Sequence, residues 1–245
     1  TAKGRPRFNP LISHVADVGM AARIGWLTDP ARALAARFWP GPLTLVLESL
    51  PDSPVCDLAR AGLDSVAVRV PGHPVARALI ERFDGPVVAP SANRSGRPSP
   101  TTFADAVEET GAAAAAALDG GDCQVGLEST VVSLLGDRPR LLRPGSITRD
   151  QIEAVAGSLD TDTTEGHRSP GRLALHYAPE APVRINAEAA RAGEILLGFG
   201  PGSGDEHWSL SPSGDLTEAA ARLFRLLREA DRERPAGIAV APVPD

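Results

Sequence analysis

The chain has 245 residues, a formal net charge of −6 and ordinary contents of apolar and charged residues, as in a globular protein of one or two domains. No apolar run approaches the roughly 18 residues that cross a membrane, and the negative charge argues against broad nucleic-acid binding through phosphate neutralisation. A local basic pocket remains compatible with it. Cys56 and Cys123 lack CxxC spacing, so neither a disulfide framework nor a zinc site is predicted, and a reducing cytoplasm is the simplest compartment.

The first stretch, Lys3–Leu11, carries three cations, and no acidic residue precedes Asp17. Its prolines and glycine exclude a helix or a central strand. Two interpretations are open: a stiff loop that grips a polyanion, or a solvated basic terminus. His14 then precedes an amphipathic helix predicted over Val15–Ile24. A lone histidine beside a helix start has either a structural or a catalytic role.

Helices and strands are predicted to alternate in the next part of the chain. They are a helix opened by Asp29-Pro30 and ending at Trp39, a strand at Leu43–Leu47, a strand at Ser65–Val70 and a helix from His73-Pro74 to Phe83. Period-two alternation places Arg69 on one strand face with the small residues Ser65 and Ala67. Such an arginine needs an anionic partner or water. It is either a carboxylate clamp or an edge arginine in solvent.

Residues Pro86–Thr101 combine a short buried strand with a loop rich in serine, and a helix is predicted from Phe103 to about Leu118 with Thr101 or Thr102 as N-cap. Hydroxyl donors, the free N–H groups of the helix end and two arginines make a ready site for an anion. The alternative is a polar loop with ordinary caps.

The rest of the chain predicts a hairpin, a linker and a second α/β unit. In order these are a strand over Gly126–Leu135, its partner Pro139–Arg143, a helix capped by Thr148 that ends at Ala156, a polar linker over Gly157–Arg168, strands Val183–Ile185 and Glu194–Phe199, a helix over Asp215–Glu233 and a strand Gly237–Ala241. This order indicates a small parallel sheet. The glycines of Gly198–Gly204 miss the G-x-G-x-x-G register, so a strand-end loop is predicted there. Tyr177, the single tyrosine, lies in a segment that we expect to pack against another surface rather than to remain an exposed linker.

Seven segments then carry a resemblance. They are KGRPRFNPLISH (Lys3–His14), WPGPLTLVL (Trp39–Leu47), SVAVRVPGHP (Ser65–Pro74), APSANRSGRPSPT (Ala89–Thr101), GLESTVV (Gly126–Val132), LRPGSIT (Leu142–Thr148) and SPGRLALHYAP (Ser169–Pro179). In this order the chain resembles the YrdC-like family, and most closely its two-domain threonylcarbamoyl-adenylate synthases. The likeness is dense up to Pro179 and extends beyond it only in layout.

The resemblance implies an α/β fold, with a YrdC-like twisted mixed sheet and helices followed by a small Rossmann-like α/β domain. It implies a catalytic domain at 1–157, a linker at 158–181 that closes over the active site, and a C-terminal domain at 182–245. The family normally has a further segment upstream of KGRP, which contributes to the threonine pocket. We therefore expect a fragment that lacks this segment and the extreme C-terminus.

The reaction implied by the resemblance combines L-threonine, bicarbonate and ATP into threonylcarbamoyl-adenylate and pyrophosphate, which is nucleotidyltransferase chemistry. A partner enzyme then transfers the threonylcarbamoyl group to the adenosine beside the tRNA anticodon. Mg²⁺ is expected with the ATP, although no protein ligand cluster is evident. No membrane is implied, and direct tRNA binding is left open.

By match to the family's motifs, the resemblance implies roles for individual residues. The catalytic group is Lys3, Arg5, Ser91 and Asn93; the ATP-binding group is Arg5, Asn9, Ser65, Ser91, Ser99, Arg143 and Tyr177; the threonine-binding group is His14, Arg69, Ala89 and Ser129. Within these groups Arg69 would clamp the threonine carboxylate, and Tyr177 would fold over the nucleotide.

Two other functions compete with this one. The first is a non-catalytic RNA- or nucleotide-binding module of the same fold, against which the acidic charge and the 4% aromatic content argue. The second is carbamoyl transfer for maturation of a metal centre, performed by a related domain in a larger protein. That relative carries an acylphosphatase unit and zinc fingers, and neither is visible in this sequence.

Overall fold

The computed structural model describes residues 3–5, 8–160 and 178–244. They group into two compact units. The six-stranded unit contains the described residues of Arg5–Pro90 and Glu128–Arg172. The four-stranded unit contains those of Thr1–Gly4, Ser91–Leu127 and Leu173–Asp245.

Seven α-helices and ten strands occur in the described part of the chain. In order they are β1 (Ile12–His14), α1 (Val18–Ala21), α2 (Asp29–Phe38), β2 (Leu43–Glu48), α3 (Asp57–Arg60), β3 (Ser65–Arg69), α4 (Pro74–Phe83), β4 (Val87–Ala89), α5 (Phe103–Thr110), β5 (Thr130–Ser133), β6 (Arg140–Arg143), α6 (Arg149–Ala156), β7 (Val183–Arg184), β8 (Glu194–Phe199), β9 (Ser209–Ser211), α7 (Leu216–Arg232) and β10 (Gly237–Val240). Short 3₁₀ turns lie at Gly111–Ala113 and Glu206–Trp208.

The six-stranded sheet has the order β4-β1-β3-β2-β5-β6. It is mixed, as predicted, because β1–β3 and β2–β5 are parallel and the other pairs are antiparallel. Strand β1 was not predicted, since three residues are too few to show a period. The helix expected over Val15–Ile24 is reduced to the single turn α1. Helix α2 starts at Asp29, as predicted, and its N-cap is Thr28, whose hydroxyl accepts the Ala31 N–H.

The two faces of this sheet differ in chemistry. One face packs Val66 and Val68 into the main core, together with Leu34 of α2 and Ile152 of α6. The opposite face carries a smaller apolar cluster of Ile12, Val46, Ala67, Val131 and Leu142. We call this second face, which carries Ala67 and Val46, the site face. Because strand side chains alternate, Ser65 and Arg69 share the site face with Ala67.

The four-stranded sheet has the order β7-β10-β8-β9, and all three pairings are parallel, which confirms the predicted parallel sheet. Helix α7 packs Phe224 and Leu226 against Leu197 and Ile238 of the strands. Strand β9 was missed because its sequence, Ser209–Ser211, is polar and short.

The predicted catalytic domain, residues 1–157, includes segment Ser91–Leu127. By its contacts, however, this segment belongs to the four-stranded unit. Its helix α5 ends at Thr110, and the prediction of a helix to Leu118 was wrong. The alanines of 112–117 are all exposed, so high helix propensity there has no packing to support it. Among the described residues, none of the helices combines the length and the apolar character needed to cross a membrane.

Candidate functional site

Three of the four threonine-binding candidates lie on the site face of the six-stranded sheet. His14 of β1 pairs in register with Arg69 of β3, and Ala89 of β4 pairs with Ile12 of β1. Paired residues on adjacent strands point to the same side of a sheet, so all three candidates share this face. Since β3 lies between β1 and β2, Arg69 is on an inner strand, and the edge-arginine interpretation was wrong.

Arg69 is held by the turn before β2. Its Nε donates to the carbonyl of Gly41 at 2.9 Å, and the Gly41 N–H donates to the carbonyl of Val70 at 2.9 Å. The side chain is partly buried. An oriented, partly desolvated guanidinium is well suited to grip a carboxylate through two N–H donors.

His14 is neutral at physiological pH. Burial, and to a smaller extent the neighbouring Arg69 charge, lower the pKa of His14 to about 4, against hydrogen bonds with the Val87 and Ile12 backbone that act in the opposite direction. A neutral imidazole beside Arg69 keeps the site face from carrying two adjacent positive charges.

This pKa predicts a pH-dependent stability. The folded pKa lies below the unfolded value of 6.5, so the unfolded chain binds the extra proton between pH 6.5 and 4. We expect the free energy of unfolding to fall by about 1.4 kcal/mol per pH unit across this window, from full stability above pH 6.5. Urea unfolding at pH 7, 6 and 5 measures it. His14→Gln should lack this component, and an equal pH slope in that variant would contradict the assignment.

Ser129 and Arg143 are brought together at β5 and β6. Arg143 Nε and Nη2 donate to the Ser129 carbonyl at 3.0 and 2.8 Å, and Nη2 also donates to the Ser129 hydroxyl at 2.9 Å. The hydroxyl lies 2.7 Å from that of Thr44, and Arg143 forms an ion pair with Glu128 at 3.7 Å. Sequence reasoning missed Thr44 and Glu128, although both lie in quoted motifs.

The remaining candidates of this unit lie near the starts of strands. Ser65 is buried at the start of β3, about 13 Å along the strand from Arg69 at the usual rise per residue. Arg5 donates to the carbonyls of Asn9 and Pro10. The buried Asn9 Oδ1 has no hydrogen-bond partner within the described part of the chain.

The four-stranded unit carries Lys3 and three further candidates, Ser91, Asn93 and Ser99, which lie on Ser91–Ser99. We call this segment the serine loop. Lys3 Nζ donates to the carbonyls of Ser91 and Asn93, and the Ser95 N–H donates back to the Lys3 carbonyl at 2.9 Å. Asn93 is 1% exposed and its Nδ2 donates across the loop to Arg94 and Arg97 carbonyls, both at 2.8 Å. Lys3, Ser91 and Asn93 are therefore assembled in one place.

Other features of the serine loop qualify the predicted anion site. Ser99 is buried, and Asn93 Oδ1 is buried without a hydrogen-bond partner among the described residues. Arg97 was expected to supply charge to an anion, but it forms ion pairs with Glu109 at 3.3 Å and Asp231 at 3.8 Å. That expectation was wrong, because two carboxylates already neutralise the guanidinium. Lys3 supplies positive charge at this loop instead.

Tyr177 lies outside the described residues. The next residue, Ala178, donates its N–H to the Gly96 carbonyl at 2.9 Å, so the chain after Tyr177 is anchored to the serine loop. Within residues 3–5, 8–160 and 178–244, no group of three or more His, Cys, Asp or Glu side chains could hold a metal ion. Cys56 and Cys123 are exposed and form no disulfide.

The geometry defines an α/β protein with a mixed sheet, a site face that carries His14 and Arg69, and a serine loop to which Lys3 donates hydrogen bonds. Residues 1–145 match the family Sua5_yciO_yrdC, described as "Telomere recombination", and residues 147–245 match "Threonylcarbamoyl-AMP synthase, C-terminal domain". The chain belongs to the Sua5/YciO/YrdC family.

Two curated relatives are named threonylcarbamoyl-AMP synthase. The Bacillus subtilis protein is 46% identical over 190 residues, covering 75% of this chain and 55% of the relative. The Pyrococcus abyssi protein is 38% identical over 259 residues, covering 94% of this chain and 74% of the relative. The chain thus spans between about half and three quarters of these proteins.

Two solved structures of P. abyssi Sua5 are similar to this chain along nearly its whole length. The complex with L-threonine has a TM-score of 0.88 at 36% identity, covering 99% of this chain and 77% of the other. A double variant with an adjacent histidine and tyrosine replaced by alanine has a TM-score of 0.85 at 35% identity, covering 99% and 76%. The fold class inferred from the sequence is confirmed by these matches.

Proposed function

We propose that this protein is an L-threonylcarbamoyl-AMP synthase, and therefore a nucleotidyltransferase. The observation that carries the proposal is the similarity over 99% of the chain to a structure that was solved with L-threonine. The candidate residues support it, because the site face offers a guanidinium for a carboxylate and the serine loop offers an ammonium and buried polar groups for a nucleotide.

The proposed reaction needs no nucleophilic side chain. The threonine amine and bicarbonate combine with loss of water to give the carbamate. A carbamate oxygen then attacks the α-phosphorus of ATP, the bond to the β-phosphate oxygen breaks, and pyrophosphate leaves. Catalysis of this kind rests mainly on position and on charge stabilisation.

The site face is the proposed threonine-binding surface. Arg69 would bind the carboxylate, with neutral His14 and the small Ala89 beside it on the same face. Ser129 would present its hydroxyl in an orientation held by Thr44 and Arg143.

Nucleotide binding is proposed for Arg5, Asn9, Ser65, Ser91, Ser99 and Arg143, with Tyr177 folding over the nucleotide from the linker. Lys3 and Arg5 would stabilise the charge that develops on the phosphates, and Asn93 would hydrogen-bond the carbamate or phosphate. The buried Asn93 Oδ1 supports such a role, because a buried acceptor is costly until it is paired. Mg²⁺ would enter with the ATP as part of that substrate, held through the phosphates.

The proposed product is an unstable mixed anhydride, which requires a partner enzyme that transfers the threonylcarbamoyl group to tRNA. Water exclusion by the predicted linker would protect it. The proposed compartment is the cytoplasm, because its reducing conditions keep exposed thiols such as those of Cys56 and Cys123 reduced.

Pyrophosphate release from ATP with bicarbonate, with and without L-threonine, tests the proposal. It should be measured on this chain and on the complete reading frame. Release that requires threonine and fails with serine is the expected result. If neither protein releases pyrophosphate while RNA binding falls steeply with salt, the binding-module function replaces this one.

A further inference from the structure

Helices α5 and α7 of the four-stranded unit are joined by a buried network of charges. Arg228 of α7 is 4% exposed in its side chain and forms an ion pair with Glu109, 1% exposed, at 3.1 Å, while its Nε lies 3.5 Å from Asp105. Arg232, one turn later, pairs with Asp105 and with Glu108. Charges this deeply buried persist only when they are paired and hydrogen-bonded.

Part of this network binds the serine loop at two points, Arg94 and Pro98. Glu109 Oε2 accepts the backbone N–H of Arg94 at 2.8 Å, and Arg228 Nη1 donates to the carbonyl of Pro98 at 3.1 Å. Arg97, between them, pairs with Glu109 and Asp231. The segment that carries Ser91 and Asn93 is therefore tied to α7 through the buried Arg228–Glu109 pair, the hydrogen bond from Arg228 to Pro98 and the ion pair of Arg97 with Asp231.

A second contact fixes α7 against the same segment. Gly126 has a φ of +70°, and a Cβ there would lie 2.4 Å from the Ala221 carbonyl oxygen. Helix α7 thus approaches the backbone of Ser91–Leu127 closely at one point and binds its serine loop at another.

Glu109 is ionised within this network. Burial acts to raise the pKa of Glu109, but the Arg94 N–H and the Arg228 and Arg97 charges outweigh it, and the pKa stays below its ordinary value.

We propose that Arg228 is a positioning residue for catalysis, which acts through Glu109 to hold the serine loop in its nucleotide-binding conformation. The inference rests on the proposed function for the role of Ser91 and Asn93. Helix α7 would then contribute to ATP recognition. Without Arg228, the buried Glu109 carboxylate loses its partner and must move or bind water, and the serine loop that it holds would move with it.

The test compares Arg228→Met with Arg232→Met in the full chain. Both substitutions remove an arginine that binds α5, but only Arg228 touches the serine loop. We expect Arg228→Met to raise the half-saturating ATP concentration by at least about tenfold and to leave that of threonine unchanged. Arg228→Lys keeps the charge and should recover most of the ATP affinity. Arg225→Met, which loses an ion pair within α7, is the control.

Hydrogen–deuterium exchange of peptides from Ser91–Ser99 gives a second readout that needs no substrate. We expect faster exchange in Arg228→Met than in Arg232→Met at equal thermal stability. Identical exchange and identical ATP dependence in these two variants would overturn the positioning role and leave a merely structural one. If the wild-type protein releases no pyrophosphate, the proposed function fails, while the exchange data still decide whether Arg228 holds the loop.

Discussion

Arg69→Ala is expected to raise the threonine concentration that half-saturates pyrophosphate release by about 10- to 100-fold. The reason is that a charge-assisted hydrogen bond contributes about 1.5–3 kcal/mol, and each 1.4 kcal/mol is a factor of ten. The half-saturating ATP concentration should stay the same. Titration of threonine at saturating ATP and bicarbonate measures the effect.

Arg77→Ala is the matched control for this variant, because Arg77 is a partly exposed residue of α4 that pairs at 3.4 Å with Glu81, four residues along the same helix. Arg69→Lys retains the charge but loses the forked donor geometry, and its threonine dependence should lie between the wild type and Arg69→Ala. Wild-type threonine dependence in Arg69→Ala, with the melting temperature unchanged, would eliminate the carboxylate-clamp role.

Gly145→Ala is expected to lower the free energy of unfolding by about 3 kcal/mol, the upper range for added volume in a packed site. A Cβ at Gly145 would lie 2.5 Å from the Glu128 carbonyl oxygen and from the Thr130 N atom. These are backbone atoms, which cannot swing aside as a flexible side chain can. The segment that must move carries Ser129, so activity should fall as well as stability.

Urea unfolding of Gly145→Ala and Gly136→Ala separates this effect from the general cost of replacing a glycine. A Cβ at Gly136 has its nearest neighbour 4.0 Å away, so its variant should unfold within about 0.5 kcal/mol of the wild type. The backbone beside Gly145 is also held in place, because the Thr130 hydroxyl donates to the Ile147 carbonyl at 2.9 Å and accepts the Ile147 N–H at 3.0 Å. Equal stability of both glycine variants would contradict the close approach at Gly145.

Local signals in the sequence were enough for the elements that carry caps or clear periods. Helix α4 begins and ends as predicted at Pro74 and Phe83, and Thr148 caps α6 as predicted, in a capping box with Gln151. These features depend on neighbours within one or two turns, so the sequence states them directly. Where local propensity lacked a packing partner, as in the alanines after Thr110, the prediction was wrong.

Tertiary structure decided which side chains meet. No local signal sets the register that pairs His14 with Arg69, or the bonds that join Ser129 to Arg143, because hydrogen bonding between strands depends on the whole sheet. The sequence by itself determined the family, the α/β class and the candidate residues. Only tertiary packing neutralised Arg97 with Glu109 and tied the serine loop to Arg228, since a buried charge takes whichever opposite charge the fold brings within reach.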